Sequence, residues 1–305
     1  MDKSKKKLFI IDGYAILYRA HFALIRNPLI TSYGFHTSAL FGFSNHLLKI
    51  IKEERPDFLV CAFDSKEKTF RHKIYSDYKA NRPEMPEELQ KQLPHLWELL
   101  DAMHIPVLKK PGFEADDIIG TITESVSKEK IESYIVSGDK DFMQLINDEI
   151  FLYTPGKRNT SPVIYDAKGV LEKWGLPPEN IIDLLSLMGD SSDNVPGVAG
   201  VGVKTAVKLL QEYGGLDRVF ENTDKITNKR VHNGLINCKD DAYLSKELVT
   251  IIKDVELKHS LDDFMIKSFD NNVLRKKYEE LEFYALLKQL VDTNDELQND
   301  KIDKK

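Results

Sequence analysis

The chain has 305 residues, of which 42% are hydrophobic and 30% charged, and its net charge at pH 7 is −6. This composition is typical of soluble globular proteins, the length allows one large domain or two ordinary ones, and no run approaches the roughly 18 apolar residues of a membrane span. The negative charge argues against a simple electrostatic nucleic-acid binder, unless the acidic groups are clustered and hold divalent cations.

Cysteine usage indicates a reducing compartment. Cys61 lies in an apolar run and Cys238 in a polar helical stretch, and neither belongs to a zinc-ligand spacing or a disulfide framework. We therefore expect a cytoplasmic protein.

The first half of the chain alternates strand and helix signals. In chain order, we predict a strand at 7–12, a helix at 38–54, a strand at 57–64, a helix at 86–103, a strand at 105–109, a helix at 114–130 and a strand at 131–139. Continuous apolar strands separated by helices are typical of a mostly parallel sheet covered by helices on both faces. The predicted fold class is therefore α/β.

From about residue 166 the pattern changes to short helices, several of which end at a glycine. We predict a catalytic α/β domain at 1–175 and a helical region without its own sheet at 176–290. The segment 291–305 has almost no apolar residues and is predicted to be a disordered tail or linker. The sequence shows no internal repeat.

Three of the predicted strands end in an aspartate: Asp12, Asp64 and Asp139. In open parallel sheets, ligands bind beyond the carboxyl ends of the strands, so these side chains should converge on one edge. The helix that starts with Glu114 follows another strand and opens at the same edge. A single aspartate after a strand is commonly a helix cap, but three in register with an acidic helix start favour a shared site.

The candidate metal ligands share carboxylate chemistry and placement near this edge. They are Asp12, Asp64, Glu114, Asp116, Asp117, Asp139, Asp141, Asp190 and Asp193. Oxygen ligands without histidine or cysteine favour magnesium or manganese over zinc. Two such ions about 4 Å apart can activate a water and stabilise the leaving oxygen of a phosphodiester. Any pair alone is more typical of caps and solvated turns, whereas the whole set indicates a metal site.

The segment 66–83 interleaves cations with aromatic residues. It contains Lys66, Lys68, Arg71, Lys73, Lys79 and Arg82 together with Phe70, Tyr75 and Tyr78. Cations for phosphates and aromatic faces for bases are the ingredients of a surface that binds single strands. A solvated amphipathic helix explains this segment equally well, so both interpretations stay open.

The glycine-rich stretch 195–210 resembles a phosphate-binding loop but fails as one. Gly197 and Gly202 have the required spacing, yet Val203 intervenes before Lys204, and no strand precedes the loop. A nucleoside triphosphatase is therefore not expected. The stretch also fits a helix–hairpin–helix, whose glycine turn grips a nucleic-acid phosphate through backbone N–H groups. The alternative is a glycine turn that only packs two helices.

Together these motifs resemble the flap endonuclease family, in particular the 5′-nuclease domain at the N-terminus of bacterial DNA polymerase I. The matching pieces are IDGYAILYRAHFA, FDSKEKTFRHKIYSDYKANRPEMP, GFEADDIIGT, SGDKDFMQL, LMGDSSDNVPGVAGVGVKTA and DAYLSKELVTI, and they cover most of residues 7 to 255 in the family's order. The resemblance implies a PIN-like 5′-nuclease fold with a helical arch at 66–85 and a helix–hairpin–helix of the H3TH type at 190–213.

The resemblance also implies residue roles. All nine acidic positions match metal-site carboxylates of the family. The implied catalytic cations are Lys79, Arg82 and Arg19, and the implied DNA-binding residues are Lys68, Arg71, Tyr78, Gly197, Gly200, Gly202, Lys204 and Thr205. A potassium ion is expected at the hairpin, and two or more Mg²⁺ ions at the carboxylates, where Mn²⁺ can substitute.

We therefore predict a divalent-metal-dependent, structure-specific 5′ nuclease that acts on 5′-flap DNA and RNA primers in replication and repair. One ion is assigned to Asp12, Asp64, Glu114 and Asp116, a second to Asp139, Asp141, Asp190 and Asp193, and Asp117 to either. A nucleoid-associated monomer is expected, with a polymerase domain in cis or in trans. The alternatives are a non-catalytic junction-binding protein and a metal-dependent phosphatase that acts on small phosphate esters.

Overall fold

The computed structural model describes residues 5–156 and 160–290. Within these two ranges, no helix is both long enough and apolar enough to cross a membrane. The tail predicted at 291–305 lies outside the described residues.

A six-stranded sheet forms the centre of the N-terminal half. Its strands are β1 (Lys7–Asp12), β2 (Phe58–Ala62), β3 (Val107–Leu108), β4 (Glu132–Val136), β5 (Ile150–Thr154) and β6 (Val163–Tyr165). The spatial order is β3-β2-β1-β4-β5-β6, and all neighbours are parallel except β5 and β6. The strand order reverses between β1 and β4, and such a switch point opens a crevice at the carboxyl ends of the strands.

Helices connect the strands and cover both faces of the sheet. They are α1 (Gly13–Ala23), α2 (Ser38–Glu54), α3 (Phe70–Ile74), α4 (Glu87–Gln90), α5 (Leu93–Ala102) and α6 (Ala115–Ser127). The predicted α/β class with a mostly parallel sheet is confirmed. The helix predicted at 86–103 is two helices, because Pro94 lacks an amide hydrogen and is tolerated only in the first turn of α5.

The second half is helical, as the sequence predicts. It contains α7 (Ala167–Trp174), α8 (Ile181–Met188), α9 (Val203–Tyr213), α10 (Leu216–Glu221), α11 (Lys229–Asn237), α12 (Lys239–Val249) and α13 (Asn271–Glu280), with short 3₁₀ helices at Pro178–Asn180, Thr223–Lys225 and Leu261–Phe264. A further 3₁₀ helix, Asp141–Leu145, lies in the N-terminal half between β4 and β5. Here we call the part from α8 to α12 the helical unit.

Alternate residues of β1 point to opposite faces of the sheet, and two apolar clusters result. Leu8 and Ile10 pack with α6 and the helical unit. Phe9 and Ile11 pack with α2 and α5 on the other face. The helical unit is therefore joined to the sheet by a continuous core.

The C-terminal boundary differs from the prediction of one helical region at 176–290. After the helical unit, Met265 forms a bridge with Phe58 beside the sheet. Leu274 and Tyr278 of α13 are then buried in the cluster that contains α2 and α5. Residues from about 265 onward thus belong to the N-terminal half, which the helical periodicity of α13 alone could not reveal.

Candidate active site

The crevice at the switch point receives the aspartates from the strand ends. Asp12 ends β1 and caps α1, where its Oδ1 accepts from the Ala15 amide at 3.3 Å and its Oδ2 from the Ser137 hydroxyl at 2.7 Å. The same hydroxyl accepts from the Asp139 amide at 3.0 Å. Ser137 therefore fixes the ends of β1 and β4 relative to each other.

The start of α6 brings a second group of carboxylates to this edge. Asp64 binds the helix N-terminus, accepting from the Ala115 amide at 2.9 Å. Glu114 is the N-cap residue and forms a capping box with Asp117. Acidic groups are stabilised here because the helix dipole is positive at its N-terminus.

Burial dominates the electrostatics of these carboxylates, and their mutual repulsion adds to it. Burial, followed by the charges of Asp64 and Asp139, raises the pKa of Asp12 to about 7, against a hydrogen bond from Ser137 that lowers it. Burial and the charges of Asp12 and Asp139 likewise raise the pKa of Asp116 well above its usual value. These carboxylates are close enough to destabilise one another's ionised form.

A second group of carboxylates lies at the 3₁₀ helix 141–145 and in the loop after α8. Burial, and then the charge of Asp139, raises the pKa of Asp141 to about 7. Its Oδ1 is buried and accepts no hydrogen bond. At Asp190, burial is outweighed by hydrogen bonds from Lys140 and Ser192, which lower the pKa.

Three cations lie among the carboxylates. Lys79 pairs with Glu114 at 2.8 Å, Arg82 pairs with Asp193, and Lys140 pairs with Asp190. In the described part of the chain, no group of three or more His, Cys, Asp or Glu side chains is arranged to hold a metal ion as it stands. The donor set still fits hard divalent cations, because it consists of oxygens, its ionised forms repel one another, and the buried Oδ1 of Asp141 accepts no hydrogen bond and has only the Lys140 ammonium at 3.5 Å beside it.

Asp117, one of the nine predicted ligands, does not face this crevice. It is fully buried, and both of its carboxylate oxygens accept from the Arg71 guanidinium at 2.8 Å. Arg71 is only 2% exposed, so the predicted contact between Arg71 and DNA does not fit the structure. The alternation of cations and aromatic residues in 66–83 predicted that its cations lie at the surface. This pattern does not distinguish Arg71, which is the buried partner of Asp117, from the other cations of the segment.

The segment 66–85 is docked on the helical unit and does not form a free amphipathic helix. After α3 it turns, and the Lys79 amide donates to the Asp193 carbonyl at 2.9 Å. Tyr78 is 4% exposed and donates to Glu114 Oε2 at 3.1 Å, so it has no free ring face for stacking on a base. Lys68, Lys79 and Arg82 remain at or near the surface.

The guanidinium of Arg19, predicted to act near the metal site, binds the loop after β5. Its Nη2 donates to the carbonyls of Pro155 and Gly156 at 2.8 and 2.6 Å. Arg19 therefore holds the two residues that follow β5, and its predicted catalytic role stays a prediction.

The glycine-rich stretch joins α8 to α9 by a loop. Gly197 and Gly200 have positive φ values of 65° and 84°, which suit glycine, and Gly202 precedes α9 without any side-chain cap. Gly202 is exposed, and a Cβ there would meet no atom within 4 Å, so there is space beside the N-terminus of α9. Lys204 and Thr205 lie in this first turn, where a groove of about 570 Å³ also contains Lys208 and Lys225.

Three residues beside the carboxylates were not predicted from the sequence to take part in the site. Ser137 orients Asp12, Lys140 pairs with Asp190, and Gln144 links Asp141 to the chain after α12. Ser137 and Lys140 lie in the acidic motif SGDKD, so their position beside two predicted metal ligands could have indicated that they belong to the site. Nothing in the sequence marks Gln144.

Comparisons with known proteins agree with this architecture. Residues 7–175 match the family model of the 5′-3′ exonuclease N-terminal resolvase-like domain, and residues 176–272 match that of the 5′-3′ exonuclease C-terminal SAM fold. DNA polymerase I of Bacillus subtilis (strain 168) is 40% identical over 297 residues, which are 97% of this chain and 33% of that protein. A 5′-3′ exonuclease of Aquifex aeolicus (strain VF5) is 40% identical over 285 residues, 93% of this chain and 95% of that protein.

Solved structures show the same fold at lower identity. T5 5′-exonuclease, solved with divalent zinc ions bound, has a TM-score of 0.68 at 17% identity, covering 96% of this chain and 99% of that one. The catalytic core of Rad2 in complex with DNA substrate has a TM-score of 0.64 at 20% identity, covering 95% of this chain and 93% of that one. The chain thus spans about a third of the length of the polymerase relative and nearly all of the Aquifex relative.

Proposed function

The chain belongs to the 5′-3′ exonuclease family, as its motifs predicted, and from this premise we propose that it is a divalent-metal-dependent 5′ nuclease. It would hydrolyse phosphodiester bonds of DNA with a 5′ flap or single-stranded 5′ end, and of RNA primers paired with DNA. The observation that carries this proposal is the crevice at the carboxyl ends of β1, β2 and β4, where carboxylates raise one another's pKa values and Lys79, Arg82 and Lys140 each pair with one of them.

Eight of the nine predicted ligands would hold the ions. Asp12, Asp64, Glu114 and Asp116 would form one group, and Asp139, Asp141, Asp190 and Asp193 the other. Divalent ions bound there supply a water of lowered pKa and stabilise the charge of the leaving oxygen. Magnesium suits the set because it binds through a few carboxylates and keeps several waters.

The chain's own groups bind and orient the substrate. Lys79 and Arg82 would neutralise the phosphate at the crevice, because both cations already lie beside proposed metal ligands, Lys79 at Glu114 and Arg82 at Asp193. Ser137 would keep Asp12 in one orientation through its 2.7 Å hydrogen bond.

Duplex DNA would bind at the hairpin. The uncapped N-terminus of α9 and the glycine turn before it offer backbone N–H groups to a phosphate, and Lys204 adds charge. Such contacts fix the position of the duplex without reading its sequence. A potassium ion at this turn is part of the proposal.

The proposed setting is a monomer that acts during replication and repair, in the cytoplasm and associated with the nucleoid. Since polymerase relatives carry this region as a third of their length, a polymerase domain would act in cis or in trans.

Cleavage of a labelled double-flap substrate across magnesium concentrations tests the function. We expect cleavage near the junction that requires divalent ions and is competed by unlabelled flap DNA. Flap binding without cleavage would support a junction-binding protein. Hydrolysis of small phosphate esters that flap DNA does not inhibit would support a phosphatase.

A further inference from the structure

The segment that leaves α12 passes directly over the helix that carries Glu114 and Asp116. A Cβ at Gly120 of α6 would lie 2.6 Å from Ile251 Cγ2 and 3.0 Å from the Ile252 carbonyl oxygen. The chain just after α12 is thus in close contact with α6 at this point. Two buried side chains from other elements hold this crossing.

Arg71 binds the segment and α6 at the same time. Its Nε donates to the Leu248 carbonyl at 2.7 Å and its Nη2 to the Thr250 carbonyl at 2.8 Å. Both Nη atoms also bind Asp117 in a two-pronged ion pair. Asp117 in turn accepts from the amides of Glu114 at 3.1 Å and Ile252 at 3.0 Å. One guanidinium therefore connects the N-cap of α6 to the chain that follows α12.

Gln144 makes a second connection of the same kind. Its Nε2 donates to the Asp141 carbonyl at 2.9 Å and to the Val249 carbonyl at 3.0 Å. Its Oε1 accepts from the Ile251 amide at 3.0 Å. Gln144 is only 8% exposed, so these bonds are shielded from water.

We propose that Arg71 and Gln144 are positioning residues that set the separation of the two carboxylate groups. Arg71 acts on Glu114 through Asp117 and through its own 3.5 Å ion pair with Glu114 Oε2, and Gln144 acts on the backbone of Asp141. Both side chains bind backbone groups of the same segment, residues 248–252, where α12 ends. The inference rests on the proposed function, because these carboxylates must hold divalent ions for their separation to matter.

Groups that orient metal ligands have a measurable signature. Removing such a partner typically lowers metal affinity 10- to 100-fold even though the ligands remain. A purely structural ion pair would leave affinity unchanged at temperatures where the variant is fully folded. If Asp117 were itself a ligand that Arg71 neutralises, weakening the pair would strengthen metal binding. The direction of the change therefore separates the three interpretations.

The experiment measures Mn²⁺ affinity of the whole chain without DNA, by titration with electron paramagnetic resonance detection, well below the thermal transition. Arg71→Lys keeps the charge that buried Asp117 needs for folding but lacks the fork that reaches two carbonyls and a carboxylate. Gln144→Met keeps the volume and removes all three hydrogen bonds. We expect each to weaken Mn²⁺ binding about 10- to 100-fold.

Lys246→Met is the matched control, since it removes the 2.8 Å ion pair with Asp183 inside the helical unit, away from the carboxylates. It should bind Mn²⁺ as the wild type does. Wild-type affinity in both Arg71→Lys and Gln144→Met, tighter binding in Arg71→Lys, or equal weakening in the control would each overturn the inference. Failure of the wild type itself to bind Mn²⁺ would instead reject the proposed function.

Discussion

Replacing Asp141 with asparagine should stabilise the protein when no divalent ion is present. Burial, and then the charge of Asp139, raises the pKa of Asp141 from 3.8 to about 7. Three pKa units correspond to about 4 kcal/mol at pH 8, since each unit is about 1.36 kcal/mol. Neighbouring carboxylates share this repulsion, and Lys140 loses an attraction when Asp141 is replaced. We therefore expect Asp141→Asn to increase the free energy of unfolding by about 1 to 3 kcal/mol rather than by the full amount.

The sign depends on pH. Between pH 3.8 and about 7 the folded state binds more protons at Asp141 than the unfolded state does, so the wild type loses stability as the pH rises through this window. The advantage of Asp141→Asn should be absent near pH 4 and complete at pH 8.

Urea unfolding in EDTA at pH 4, 6 and 8 measures this difference, and exposed Asp148→Asn is the control that should behave as the wild type. Adding Mn²⁺ at pH 8 should stabilise the wild type more than Asp141→Asn, because the variant has lost a ligand. An Asp141→Asn protein that is no more stable than the wild type at pH 8 in EDTA would refute the claim of repelling carboxylates.

Three further predictions concern other parts of the molecule. Burial lowers the pKa of His46 to about 4. As the pH falls from 6.5 to about 4, the free energy of unfolding of the wild type should therefore decrease by up to about 3 kcal/mol relative to that of His46→Leu. If urea unfolding shows the same pH dependence for both proteins, this prediction is wrong. A Cβ at Gly234 would lie 2.1 Å from the Ala199 carbonyl oxygen, so Gly234→Ala should displace the hairpin and weaken duplex binding several-fold in a mobility-shift assay, whereas Gly169→Ala in α7 should not. Lys79→Ala should lower flap cleavage by about 10²- to 10³-fold and also weaken binding of the 5′ end, because it removes a positive charge beside the reacting phosphate; a change in stability alone would reject this role.

The sequence predicted the fold because its strands are apolar without interruption. Such runs as Phe58–Ala62 must be buried on both faces, which requires helices between parallel strands. β5 and β6 were not predicted. β6 is short, and its exposed Val163 and Ile164 lie at an edge of the sheet, so no long buried apolar run marks it. Whether α13 packs against the helical unit or against α2 and α5 depends on tertiary contacts, and the helical periodicity of its sequence does not show which of these it contacts.

At the site, residue type was informative and side-chain direction was not. The three aspartates at strand ends had to converge, because parallel strands end at one edge. Asp117 lies in the same acidic turn as Asp116, but one step along a helix rotates a side chain by about 100°, which takes Asp117 to the buried face. Its partner Arg71 is 46 residues away, a pairing that only the folded chain reveals.

The proposed function requires the crevice to hold divalent ions between its carboxylates. A crystal soaked in Mn²⁺ and measured at the manganese absorption edge would locate such ions. We expect two anomalous peaks about 4 Å apart, one bound by Asp12, Asp64, Glu114 or Asp116 and one by Asp139, Asp141, Asp190 or Asp193. Carboxylates that keep their pairs with Lys79, Arg82 and Lys140, with no peak between them at saturating Mn²⁺, would contradict it.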